Sequence, residues 1–152
     1  MKPKTKKKRI PKRGKSERSK IMAKLDKLYS DYVRERDNWT CVRCGLREIN
    51  NKRHMSCSHY WSRRHISTRW ELDNLCTLCW NCHAYHWESE KQSDYRNYML
   101  KKLGKEGYEK LEQKHLMTWK ISTSELEFLY KVQKEEFKKL IINRKEVKYN
   151  EL

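Results

Sequence analysis

The chain has little of what builds a large apolar domain. Only 36% of its 152 residues are hydrophobic, with two phenylalanines, four glycines and two prolines. That composition excludes one large core and points to a small one of the kind usually held by metal. No apolar run reaches 18 residues and none has the character of a signal-peptide core, so a membrane-spanning chain is excluded at this level. The expectation is a soluble, intracellular, cytoplasmic protein. Acidic residues are also scarce, 20 against 37 Lys and Arg, for a net charge of +17. Such an excess favours polyanions: nucleic acid first, with an anionic membrane surface as the alternative. No internal repeat is present.

Aromatics offset part of the deficit. Six Trp and nine Tyr bring much apolar area per residue. The six cysteines argue for metal rather than disulfides in an intracellular chain. Four of them form two Cys-x-x-Cys pairs, Cys41 with Cys44 and Cys79 with Cys82. Four thiolates from two knuckles give a closed tetrahedral site, which is structural because no position stays open for water. We therefore expect structural Zn²⁺ at these four residues, with Gly45 supplying the positive φ of the first knuckle. Cys57 and Cys76 are left as buried thiols.

Three regions follow. Residues 1–19 form a basic tail expected to be disordered, containing both prolines. Residues 1–20 carry eight Lys and three Arg against one Glu, a net +10, suited to tracking phosphates. Residues 20–90 form a zinc-knuckle module with an N-terminal helix. That helix, 20–37, shows Ile21, Leu25, Leu28, Tyr29, Tyr32 and Val33 at three- and four-residue spacing. Residues 55–61 have strand character, placing His59 and Trp61 on one face and Ser58 and Tyr60 on the other. A polar loop, 62–73, holds Arg63, Arg64, His65 and Arg69. Asp73-Asn74 leads into a second strand or turn, and Cys79–Cys82 opens a helix carrying His83 and His86.

Residues 91–152 are helical. Gly104 stops one helix capped by Ser93, a second runs over 105–114, and Ser122-x-x-Glu125 is a capping-box pattern. It starts a long helix with Leu126, Leu129, Tyr130, Phe137, Leu140 and Ile141 on one stripe, interrupted by Gln133. That stripe serves as scaffold or as a homodimer surface.

The histidines divide by their spacing. His54, His65 and His115 read as ordinary residues. His59, Asn74 and His83 lie on strand, second strand and helix, and a compact ββα unit would bring them to one point. Phosphodiester hydrolysis needs an activated water, stabilisation of charge on the phosphorane and help for the leaving oxygen. A neutral imidazole takes the proton from water, a divalent metal neutralises the oxygens, and a fixed amide orients the imidazole. These roles suit His59 as base, His83 as metal ligand and Asn74 as the orienting group. Arg63, Arg64 and Arg69 would hold phosphates across the site. Trp61, Trp70, Trp80 and Trp87 would stack on splayed bases or, the safer reading for each, fill the small core.

Cys-x-x-Cys-Gly, then His59, then Asn74-Leu75-Cys76-Thr77-Leu78-Cys79-Trp80-Asn81-Cys82-His83 resembles the HNH nuclease motif in its zinc-knuckle variant. Within that superfamily the chain resembles the phage recombination endonucleases called NinG or Rap. The supporting residues are Val33 to Asp37, Ser58 to Arg64, Arg69-Trp70, Tyr95-Arg96, Leu103 to Glu106, Leu111-Glu112 and Trp119. The similarity covers about residues 20 to 142. It implies an α+β fold, a small zinc-stapled ββα core flanked by N- and C-terminal helices. It also implies a structure-selective DNA endonuclease that uses Mg²⁺ or Mn²⁺ and cuts branched intermediates such as Holliday junctions and D-loops in a bacterial host. Many HNH enzymes carry Asp or His just before the base, where this chain has Ser58, so the missing metal contact falls to Asp73, His86 or His59 itself. Between His83 and His86 as metal ligand the pattern leaves both open. The alternatives are a zinc-knuckle protein that binds nucleic acid without cutting, and an HNH nuclease for ordinary duplex DNA.

Overall fold

A computed structural model describes residues 14–50, 52–87 and 92–150, with side chains for 14–50, 53–85 and 93–144. Most of the basic tail lies outside the described residues. The first helix, α1 (Glu17–Arg36), starts inside the segment read as tail, because Ser16 caps it: its Oγ accepts from the Ser19 amide at 3.2 Å. Its apolar stripe is buried as the periodicity requires, at Ile21, Leu25, Tyr29 and Val33.

The strands β1 (Met55–His59) and β2 (Leu75–Cys79) pair antiparallel, with His59 opposite Leu75 and Met55 opposite Cys79. The architecture is thus α+β, a two-stranded sheet among helices. β1 stops at His59, two residues short of the extended stretch expected, because Trp61 leaves the strand to stack on His115. All of β2 is buried, and its side chains alternate. Leu75 packs with α1, and Thr77 Oγ1 donates to the Val33 carbonyl at 3.3 Å. Cys76 and Leu78 pack on the other side with Tyr95 and Met99. Residues Cys82–Trp87 form a helical turn of the wider π type rather than an ordinary α-helix.

The next helix, α2 (Gln92–Leu116), is broken at Gly104, whose φ of 70° and ψ of 172° are open to glycine and strained for other residues. This is the stop expected between two helices. The last helix, α3 (Thr123–Asn150), begins with the expected capping box. Ser122 Oγ accepts from the Glu125 amide at 3.2 Å, and Glu125 Oε2 accepts from the Ser122 amide at 2.7 Å. Leu126, Leu129 and Tyr130 join the α1 cluster, so this stripe is used as scaffold within the chain. Gln133, which interrupts it, is buried with Nε2 unpartnered among the described residues. No described helix is long and apolar enough to cross a membrane.

Candidate functional site

The segment Val33 to Asp37 ties α1 to the rest. Val33 is fully buried. Glu35 accepts from Trp39 Nε1 at 2.8 Å. Arg36 donates to the Leu72 and Leu75 carbonyls at 3.1 and 2.9 Å, and Asp37 Oδ2 accepts from the Thr77 amide at 2.8 Å. Asn38 and Trp39 then take positive φ, 52° and 55°, reversing the chain into the first knuckle.

That knuckle is closed by a bridge between Thr40 and Arg47 and by the Gly45 amide donating to the Cys41 carbonyl at 2.9 Å. Gly45 has the expected positive φ, 75°. The Val42 amide donates to the Thr77 carbonyl at 3.0 Å, holding the knuckle to β2. The sulfurs of Cys41, Cys44, Cys79 and Cys82 lie within 4.8 Å of one another. Cys44 and Cys79 sulfurs are 3.8 Å apart, which matches the edge of a tetrahedron with Zn–S arms of about 2.3 Å. Four soft donors at that spacing suit Zn²⁺. Arg43 Nη1 lies 3.7 Å from Cys82 Sγ, a cation beside the sulfurs. Cys76 is buried and Cys57 half-buried. Burial pushes both thiols up to about 12.

A cleft of about 680 Å³ opens between α1, β1, the loop after β1 and the π turn. His59 and His83 both line it, so two of the three grouped residues share one cavity. His59 is half-buried and its pKa is pulled down to about 4, first by burial and then by the Arg63 guanidinium. The Asp26 carboxylate pulls the other way.

Asn74, expected to orient that imidazole, bonds main chain instead. Fully buried Asn74 accepts from the Trp61 amide at 2.7 Å and donates to the Trp61 and Thr68 carbonyls, both at 2.9 Å. It clasps the loop that follows β1, the loop that carries Arg63 and Arg69.

The arginines also separate. Arg63 is exposed and lines the cleft. Arg64 is exposed outside the cleft lining. Arg69 is not the phosphate ligand expected: Nε and Nη2 hold Asp26 at 2.9 and 2.5 Å, and Nη1 donates to the Arg63 carbonyl at 3.1 Å. A guanidinium committed to a carboxylate on α1 is a loop anchor. A residue not singled out, Arg34, takes its place in the cleft wall. Its Nη1 donates to Ser30 Oγ at 2.7 Å and its Nη2 to Asp31 at 2.5 Å, while its buried Nε is unpartnered among the described residues. The helical period from Ser30 to Arg34 was the signal available in the sequence.

Ser58 is fully buried and does not line the cleft; its Oγ accepts from Tyr95, which does, at 3.1 Å. Asp73 is exposed and does not line the cleft. The side chains of His86 and Trp87 lie outside the described residues. Among the described residues the cleft offers imidazoles and hydroxyls but no carboxylate. This set does not fit Mg²⁺ or Mn²⁺, hard cations that take oxygen ligands, with His83 the expected donor left in it. The four cysteines are the one cluster of three or more metal-ligating residues found among the described residues. Trp70 is buried, Trp61 stacks on His115 at 3.9 Å, and Trp80 stands exposed.

An α+β chain with a four-cysteine cluster and a cationic, two-histidine cleft is thus the class of protein in hand. The family described as Bacteriophage Lambda NinG protein matches residues 1–144, and the chain belongs to that family. No curated protein and no solved structure matches it.

Proposed function

We propose that this chain is an HNH-type endonuclease that hydrolyses phosphodiester bonds of branched DNA recombination intermediates. The observation that carries the reading is the shared cleft, in which His59 and His83 face Arg34 and Arg63. His59 is neutral near pH 7, so its ring nitrogen is available to take a proton from an attacking water. A phosphate arriving beside Arg63 offsets the charge that depresses the imidazole, which makes His59 a stronger base in the complex than in the free protein. Arg63 and the Arg34 edge hold the non-bridging oxygens and stabilise the added charge of the phosphorane. The Asn74 clasp and the Arg69–Asp26 pair keep the loop fixed while this happens. The tail, net +10 over residues 1–20, adds salt-dependent affinity.

One observation favours a second reading, a protein that binds such DNA without cutting: the cleft lining holds no carboxylate among the described residues. The experiment gives purified protein a labelled four-way junction and a matched linear duplex, with Mg²⁺, Mn²⁺ or chelator, beside His59→Ala checked for zinc content. Junction cutting that falls by about 10²-fold or more in His59→Ala supports the proposal, and the metal and chelator arms show whether it uses an added ion. Binding without cutting under every metal selects the second reading, and equal cutting of the linear duplex removes the branch selectivity.

A further inference from the structure

The helices α1 and α3 are tied together near both ends of α3. Leu126 is fully buried in the cluster that holds Leu25 and Val33, and Arg144 Nη1 donates to Glu35 at 3.1 Å. Between these ties lies a groove of about 420 Å³, lined by Leu28 of α1 and by Tyr130, Phe137 and Ile141 of α3. The three α3 residues recur at helical spacing, so they share one face, about 16 Å long. Packing within the chain leaves this face unfinished. Phe137 and Ile141 belong to neither buried cluster, and Ile142, which also lines the groove, is 54% exposed.

The charge on the groove indicates what covers it. Lys134 and Lys138, one turn apart, are its two charged lining residues. Lys138 pairs with Glu135 at 2.8 Å, but both side chains are more than half exposed, and so open a pair holds weakly. Lys134 is exposed and forms no ion pair among the described residues. An apolar floor with cations beside it is complementary to apolar side chains flanked by carboxylates. A second copy of this chain would bring the same two lysines and another net +17, and the chain's own tail a net +10 over residues 1–20. A DNA duplex would meet the lysines with phosphates and leave the apolar floor wet. A straight groove of three turns between two helices has the form that receives a third.

We propose that the groove between α1 and α3 is a docking site for an acidic amphipathic helix of a partner protein. It shares no lining residue with the cleft, so its failure would leave the proposed function standing. The probe is a fluorescein-labelled peptide of roughly 18 residues, with leucine recurring three and four residues apart and Glu or Ala elsewhere, enough to span the groove. A peptide of the same composition in scrambled order runs beside it. Zinc-replete full-length protein is titrated into each at neutral pH and followed by anisotropy. The variants change exposed positions: Lys134→Glu and Ile142→Ser in the groove, and Lys131→Glu and Phe128→Ser on α3 outside its lining. Wild type is expected to bind the amphipathic peptide at least about tenfold more tightly than the scrambled one. Lys134→Glu and Ile142→Ser are each expected to remove about tenfold of that affinity, and the two variants outside the groove to keep most of it.

Equal binding of the scrambled peptide, or an equal loss in Lys131→Glu and Lys134→Glu, would mean that net charge alone draws the peptide, and would overturn the site. So would full affinity in Ile142→Ser. Light scattering supplies the remaining arm: a wild-type dimer that Ile142→Ser dissociates would assign the groove to a second copy and overturn the acidic partner. No peptide binding, with duplex DNA binding weakened by both groove variants, would overturn it in favour of nucleic acid.

Discussion

The two sides of the sheet are built from different chemistry. On one side α1 and α3 bring Ile21, Leu25, Val33 and Leu126 against Leu75 and Trp70. On the other, Cys41, Cys79 and Cys82 lie with Trp39, Tyr95, Met99 and Tyr108, the buried leucines are Leu78 and Leu111, and Leu100 and Leu103 pack half-buried against them. The first side can stand on burial, at roughly 1.5–3 kcal/mol for each large aliphatic side chain removed from water. The second has too few aliphatic carbons for that and concentrates sulfur and polar aromatics instead. One small chain thus solves the problem of a thin core twice, by packing and by ligation.

The comparison breaks most sharply under chelation. Structural zinc supplies on the order of 10 kcal/mol in small domains, comparable to the whole stability of an ordinary one. Stripping the metal should abolish the near-ultraviolet signal of Trp39, Tyr95 and Tyr108 while much of the far-ultraviolet helical signal survives. A complete loss of bound zinc with an unchanged melting temperature would show that the second side also stands on packing. Next in size, Leu126→Ala removes a fully buried side chain from the first side and should cost about 2–5 kcal/mol. Denaturant melts would measure the cost, and zinc stoichiometry should stay at the wild-type value; loss of zinc would mean that the two sides fold as one unit.

The smallest effect lies at the seam, where β1 ends in His59. Its folded pKa is about 4 against an ordinary 6.5, so between these values the unfolded chain binds the extra proton. The contribution of His59 is therefore complete above pH 6.5 and is lost as pH falls towards 4. His59→Gln should flatten the stability profile in that window relative to wild type. Parallel acid melts of the two proteins give the answer, and identical slopes would mean that the imidazole is not held neutral.

Local chemistry was legible in the sequence. The α1 stripe, the Ser122–Glu125 box, the Gly104 break and the clustered cysteines each depend on residues close together or on a ligand pattern with fixed spacing. Long-range partners were not. Arg69 read as a phosphate ligand because Asp26, its partner, lies 43 residues upstream, on α1. Asn74 was placed near the right loop but given the wrong bonds, since its partners are carbonyls and an amide of the main chain, which side-chain patterns do not reveal. Ser58 read as a lost ligand because alternation shows that neighbours differ in direction, not which direction is the core. Arg34 was passed over because the helix was read for its apolar stripe alone.

The Asn74 clasp has one more consequence, in the order of assembly. It joins residues 13 apart, whereas the Arg144–Glu35 pair that ties α3 to α1 joins residues 109 apart. By the logarithmic rule for loop closure the longer connection costs about 2 kcal/mol more chain entropy. The loop after β1 can therefore form from its own neighbourhood in the chain, before the C-terminal helix docks onto α1.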